Sequence, residues 1–271
     1  MKITMIGSGR VATHLALALQ NQHQIVQVFS PKLAHAQKLA QQVDAQAIDS
    51  PCQLDPQVDL VIVAVSDQAI SQVIHSIIGY LPQNLIVHTS GSTSLAVIEH
   101  THSRAGVFYP LQTFSFEREV NWLETPLFVE ATEQQDLQAL TQLANSLSNQ
   151  VYQYSSKQRQ TLHLAAVFAC NFSNYCYDMA QQIVEAEQVD FSLLYPLILE
   201  TADKATKHDP KTMQTGPAMR GDQNILKMHG QLLAGADRKD LQNIYVLLRS
   251  AMSTVSRIAV LWWPLPALIR L

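Results

Sequence analysis

The residues best suited to chemistry come first in the chain. Gly7-Ser8-Gly9-Arg10-Val11-Ala12 fits the pattern G-x-G-x-x-A. In such a pattern the first glycine permits a tight turn, the second lets a pyrophosphate approach the backbone, and the small third residue lets a helix pack close to a strand. The helix opening there aims free backbone amides at phosphate charge. Gly7, Ser8, Gly9, Arg10, Val11 and Ala12 are therefore assigned to a dinucleotide. An NAD site usually carries Asp or Glu at the end of the second strand to hold the ribose 2′-hydroxyl. Here that place reads Ser30-Pro31-Lys32. With no carboxylate to repel a 2′-phosphate, Ser30 and Lys32 favour NADP over NAD; the alternative is a surface turn with a solvated lysine.

Two further polar loops follow apolar runs, Ala64-Val65-Ser66-Asp67 and His88-Thr89-Ser90-Gly91-Ser92. At the carboxyl ends of parallel strands such loops border the crevice in which doubly wound folds bind ligands. Val65, Ser66 and Asp67 are read as cofactor residues and Ser90 as a substrate residue, with Ser66 or Asp67 also able to cap the next helix. Later in the chain His163 and Asn171 lie eight apart, which on an α-helix puts them on one face about 12 Å apart. Histidine suits proton transfer near neutral pH. His163 is the candidate acid/base and Asn171 a substrate hydrogen-bond partner; the alternative is that both are satisfied polar groups of a packed helix. Arg220 could hold a substrate carboxylate in a bidentate pair, or else pair with Asp222, which could also cap the helix after it.

The elements that must position these residues alternate through the first half. Strands are expected at 2–6, 24–29, 59–65, 85–89, 105–109, 127–130 and 151–154, with helices after Gly9 and at 32–43, 67–79, 93–101 and 133–149. This alternation predicts an α/β, doubly wound sheet. From residue 155 the strand signal stops. Helices are expected at 156–188, 190–207, 222–234 and 237–261, broken at 214–221. The organisation read from the sequence is a nucleotide-binding domain over 1–154 and an all-helical domain over 155–271.

An apolar share of 47% with 15% charged residues describes a folded protein with a large core. The net charge is −4, and neither half is strongly basic: residues 1–154 carry 6 Lys+Arg against 12 Asp+Glu, and residues 155–271 carry 12 against 10. Nucleic acid is not an expected partner. Cys52, Cys170 and Cys176 have no zinc-site spacing and are expected to be reduced, buried small hydrophobes. No metal is expected. With no leader read ahead of the first strand and no span for a bilayer, the expected location is the cytoplasm. Trp262-Trp263, in an apolar carboxyl-terminal tail, would be buried in a core or a subunit interface, and the interface is favoured.

The opening loop, the step Val65-Ser66-Asp67-Gln68-Ala69-Ile70 and the helical second half resemble the group of pyrroline-5-carboxylate reductase, F420-dependent NADP oxidoreductase and 6-phosphogluconate dehydrogenase-like proteins. More narrowly, His88-Thr89-Ser90-Gly91, the stretch Gly106 to Phe114, the stretch His163 to Asn171 and the stretch Thr215 to Asp222 resemble the Rossmann-like/DUF2520 family over almost the whole chain. The resemblance implies a two-domain, NADP-dependent oxidoreductase-like protein that forms a homodimer through its helical domain. It brings F420 into view as a less favoured hydride carrier. The leading expectation is hydride transfer between NADP(H) and a small keto, imino or hydroxy acid. The alternative is a non-catalytic nucleotide-binding sensor that dimerises through the same helices.

Overall fold

The computed structural model describes residues 1–236 and 238–261. The chain forms two compact units, Met1–Asn171 and Phe172–Leu271. In the first, β1 (Lys2–Ile6), β2 (Gln24–Phe29), β3 (Gln46–Ile48), β4 (Leu60–Val63), β5 (Leu85–His88), β6 (Ala105–Pro110), β7 (Leu127–Ala131) and β8 (Val151–Gln153) make one sheet in the order 3-2-1-4-5-6-7-8. All neighbouring pairs are parallel except β6 with β7. The expected strands are present, and β3 is an addition. At three residues, beginning with a polar Gln46 and ending on a sheet edge, it carries too little hydrophobic alternation to stand out in the sequence.

β4 shows why the sheet is covered on both sides. Successive side chains of a strand point to opposite faces, and Leu60 and Ile62 join one buried cluster while Val61 and Val63 join the other. On the first face pack α1 (Arg10–Leu19), α2 (Leu33–Ala40) and, through Leu140 and Leu143, α5 (Gln134–Asn145). On the second pack α3 (Asp67–Ile77), through Ile70, Ile74 and Ile77, and α4 (Ala96–Glu99), through Ile98. This is a doubly wound, Rossmann-like sheet. Its order reverses at β1, which pairs with β2 on one side and β4 on the other, so the loops after β1 and β4 flank the crevice where ligands bind in such folds.

The helix expected over 156–188 is interrupted. α6 (Ser156–Ala166) is followed by a π-helical turn, Val167–Phe172, and then by α7 (Ser173–Ala186). The division between the units falls inside that π turn, so α6 belongs with the sheet. Its start is set locally: Ser155 Oγ accepts from the Gln158 amide while the Gln158 side chain accepts from the Ser155 amide, a capping box.

The second unit is helical: α7, α8 (Tyr195–Lys207), α9 (Pro217–Arg220), α10 (Gln223–Gly235) and α11 (Lys239–Leu261). Asp222 caps α10 by accepting from the Ile225 amide. Within it Met179, Ala218, Leu226 and Leu241 are buried, whereas α8 buries no residue. Trp262-Trp263 lies outside the described residues. The cysteines correct an expectation, since all three are exposed: Cys52 sits in a surface 3-10 turn, Cys170 in the π turn and Cys176 on α7. Among the described residues no helix is long and apolar enough to cross a membrane.

Gly7 shows how tightly β1 and β4 determine the loop between them. Its φ is +112°, and a Cβ there would stand 2.3 Å from the Ala64 carbonyl oxygen. Gly7→Ala is expected to lower stability by at least about 2 kcal/mol in denaturant unfolding, from combined backbone strain and steric overlap.

Candidate functional site

The glycine turn is built from the sheet outward. The Gly7 amide donates to the Phe29 carbonyl (2.8 Å), which ties the turn to the end of β2 and brings Ser30 next to it. Ala12 is fully buried against the strands. Gly9 is different from Gly7: its φ is −78°, and a Cβ on it would meet nothing within 4 Å. The fold does not require glycine there, and the space above it is open. α1 has no side-chain cap and no acidic residue in its first turn, so among the described residues no side chain caps its first amides. A bare cradle at an uncapped helix terminus fits a phosphate. Ser8 is half-buried, and Arg10 is exposed with its guanidinium 5.8 Å from the Phe116 ring centre. Ser30 is buried and its amide donates to Ile48, while Lys32 is exposed at the start of α2 and makes no ion pair among the described residues. No carboxylate lies between Phe29 and Lys32.

The loops after β4 and β5 are joined. Val65 packs near Gly7. Ser66 occupies the cap position of α3, yet neither it nor Asp67 caps the helix through its side chain; Asp67 instead accepts a hydrogen bond from the Ser92 hydroxyl. Ser90 is buried, and its hydroxyl serves its own loop, donating to Thr93 Oγ1 (2.9 Å) and accepting from the amides of Ser92 and Thr93. That use leaves little of the Ser90 side chain for a substrate.

What holds this loop is Arg159, a residue the sequence reading passed over. On α6 it is fully buried, and its Nη1 donates to the carbonyls of Ser90 (2.8 Å), Gly91 (3.2 Å) and Thr93 (2.7 Å). Its Nη2 donates to Ser156 Oγ (2.9 Å) and Glu130 Oε2 (3.2 Å). Burial pulls its pKa down, and the Glu130 carboxylate pulls it back up. No local sequence pattern separates Arg159 from its solvated neighbour Lys157.

Beneath the loop His88 is fully buried, and its Nδ1 accepts from the Ser90 amide (3.2 Å). Burial first, then the Arg159 charge, push its pKa down to about 4, with the Ser94 backbone and the Asp67 carboxylate opposing more weakly. His88 is a neutral structural group.

His163 and Asn171 line one cavity of about 820 Å³, together with Arg10 and Val11 of α1 and Tyr109, Gln112 and Phe114 from the end of β6 onward. Most of the other lining is apolar, a composition usual for small-molecule sites. The π turn carries Asn171, and such turns recur at functional sites. His163 Nδ1 lies 3.2 Å from the Tyr109 hydroxyl. Burial raises Tyr109 to about 12, the Asp67 charge adding to that rise and Arg159 opposing it. Tyr109 was quoted in the sequence only within a longer motif; its position at the end of a buried strand was the available signal. Arg220 belongs to the helical unit, where it is exposed and makes no ion pair among the described residues; the Asp222 side chain caps α10.

Residues 125–252 match the family described as a domain of unknown function, DUF2520. Residues 2–91 match the family described as NADP oxidoreductase, coenzyme F420-dependent. No curated protein matches the chain. Among solved structures, a Bacteroides fragilis protein described as a candidate NADP oxidoreductase is 41% identical, with 93% of this chain and 98% of that one covered and a TM-score of 0.87. A Thermotoga maritima protein is 21% identical over 95% of this chain and 99% of its own, with a TM-score of 0.68. An imine reductase from Myxococcus stipitatus, in complex with NADP+, is 18% identical over 96% and 94%, with a TM-score of 0.66. The last two likenesses are of fold.

His88 generates a pH test. Its folded pKa lies below the unfolded value near 6.5, so between those values the unfolded chain binds more protons and stability must fall as pH falls. Between pH 7 and pH 4 the wild type is expected to lose about 3 kcal/mol more than His88→Asn, measured by urea unfolding at each pH. Parallel pH dependence in the two proteins would refute the assignment.

Proposed function

We propose that this chain, which belongs to the family joining an NADP oxidoreductase domain to a DUF2520 domain, moves hydride between NADP(H) and a small keto, imino or hydroxy acid. The observation that carries the reading is the open space at Gly9 above uncapped α1 amides. Gly7, Ser8, Gly9, Arg10, Val11 and Ala12 would hold the pyrophosphate, with Val65, Ser66 and Asp67 along the neighbouring loop. Ser30 and Lys32 would hold a 2′-phosphate, because an exposed ammonium that makes no ion pair among the described residues attracts that charge. The nicotinamide, when bound, supplies or accepts the hydride.

The protein's own part is proton movement and orientation. His163, lining the cavity with Asn171, exchanges a proton with the substrate oxygen or nitrogen, and Asn171 orients that atom by a hydrogen bond.

Gly9→Ala separates a ligand-dictated glycine from a structural one. Its melting temperature is expected to match wild type, while NADPH affinity drops about ten-fold, ~1.4 kcal/mol, in fluorescence titration; wild type should bind NADPH more tightly than NADH. Unchanged NADPH affinity in Gly9→Ala, or tighter NADH binding by wild type, would contradict the reading.

The reading includes a homodimer formed through the helical unit. It is supported by α8, which buries nothing in its own chain, and by Leu197, Leu199, Leu232 and Leu247, each more than 60% exposed. Apolar surface on that scale marks an interaction site. Sedimentation at micromolar concentration is expected to give twice the chain mass, and a monomer would exclude it.

A further inference from the structure

We propose that Tyr109 is a positioning residue for His163: its hydroxyl donates to Nδ1, holds the ring in place and leaves the imidazole proton on Nε2. The inference rests on the reading of His163 as the acid/base. Tyr109 lies at the carboxyl end of β6 and is 8% exposed. Its hydroxyl is 3.2 Å from His163 Nδ1, and the two rings meet edge to face at 74°. This is the only hydrogen bond of that hydroxyl among the described residues. A phenol held protonated by burial has a donor to satisfy, and Nδ1 is the acceptor in reach. A neutral imidazole that accepts at Nδ1 must carry its proton on Nε2. For the Nε2 proton to pass to substrate, Nδ1 must take up the Tyr109 hydroxyl proton in the same step, so that the ring stays neutral and the phenolate is reprotonated from water.

The pair is seated on Gly91. A Cβ there would stand 2.6 Å from His163 Nδ1 and 2.7 Å from Tyr109 Cζ, so only glycine lets the two rings meet against this wall. The Gly91 carbonyl in turn accepts from the buried Arg159, which fixes the wall in place. Tyr109, His163, Gly91 and Arg159 are brought together from β6, α6 and the loop after β5, and they describe a supported proton-delivery group rather than a lone histidine.

The test is nitrogen NMR of the full-length protein without cofactor, at a pH about two units above the ordinary histidine value, with the His163 signals assigned through His163→Gln. Wild type is expected to show a hydrogen-bonded, pyridine-type Nδ1 and a pyrrole-type Nε2. Tyr109→Phe should move Nδ1 to the position of a free pyridine-type nitrogen. Gly91→Ala, which keeps both partners but wedges them apart, should do the same. With a substrate in hand, Tyr109→Phe should lower kcat roughly ten-fold with little change in KM. A wild-type proton on Nδ1, or an Nδ1 signal unmoved in both variants, overturns the proposal. Should Tyr109→Phe fail to fold, the wild-type spectrum and Gly91→Ala still decide. If the spectra behave as expected while His163→Gln keeps full turnover, the pairing stands and the acid/base reading falls.

Discussion

A buried arginine organises the site. Taking a guanidinium out of water costs several kcal/mol unless its donors are met, and Arg159 meets that demand through Nη1 and Nη2, with three loop carbonyls, a hydroxyl and a carboxylate, while Nε has no partner among the described residues. The carbonyls of Ser90, Gly91 and Thr93 are thereby drawn to one point, which sets the shape of the loop after β5. The same contacts dock α6 against that loop and against Glu130 of β7. The Ser156 hydroxyl reinforces the seam, donating to Glu130 Oε2 (2.8 Å) and accepting from the Leu95 amide (2.9 Å). Because α6 carries His163, the position of the candidate acid/base is a consequence of charge burial several residues earlier. Burial chiefly, and then the same positive charge, hold the His88 pKa down.

The other half of the site obeys a steric rule. Where the sheet order reverses, the turns after β1 and β4 come into contact, and at Gly7 the approach is too close for any side chain. Gly9, two residues later, meets no such constraint from the protein. One glycine is therefore required by the fold, and the other is not.

The helical unit contrasts with the sheet. β4 buries every side chain, whereas α8 buries none and the surface leucines of α10 and α11 are open to solvent. A sheet covered on both faces satisfies its own hydrophobic surface. Amphipathic helices that leave apolar side chains exposed do not, and the lack of burial on α8 is the physical reason to look for a second copy.

Much of the fold was legible in the sequence because its signals are local. The run Asp59 to Val65 announces a central strand, and Gly7 to Ala12 announces a turn between strand and helix, each within a few residues. The sequence alone therefore determined the alternation of strands and helices, the helical second half and the glycine turn. The three-residue β3 fell below the length at which periodicity speaks, and the π turn had no pattern to betray it. The exposed cysteines went the other way, since residue type predicts burial only on average. What the tertiary structure alone decided is the company each polar group keeps. Arg159 reaches carbonyls nearly seventy positions away, Tyr109 meets His163 across 54 positions, and the Ser90 hydroxyl is consumed by its own loop. Hydrogen bonds act over about 3 Å of space, and only the folded sheet converts distance along the chain into distance between atoms.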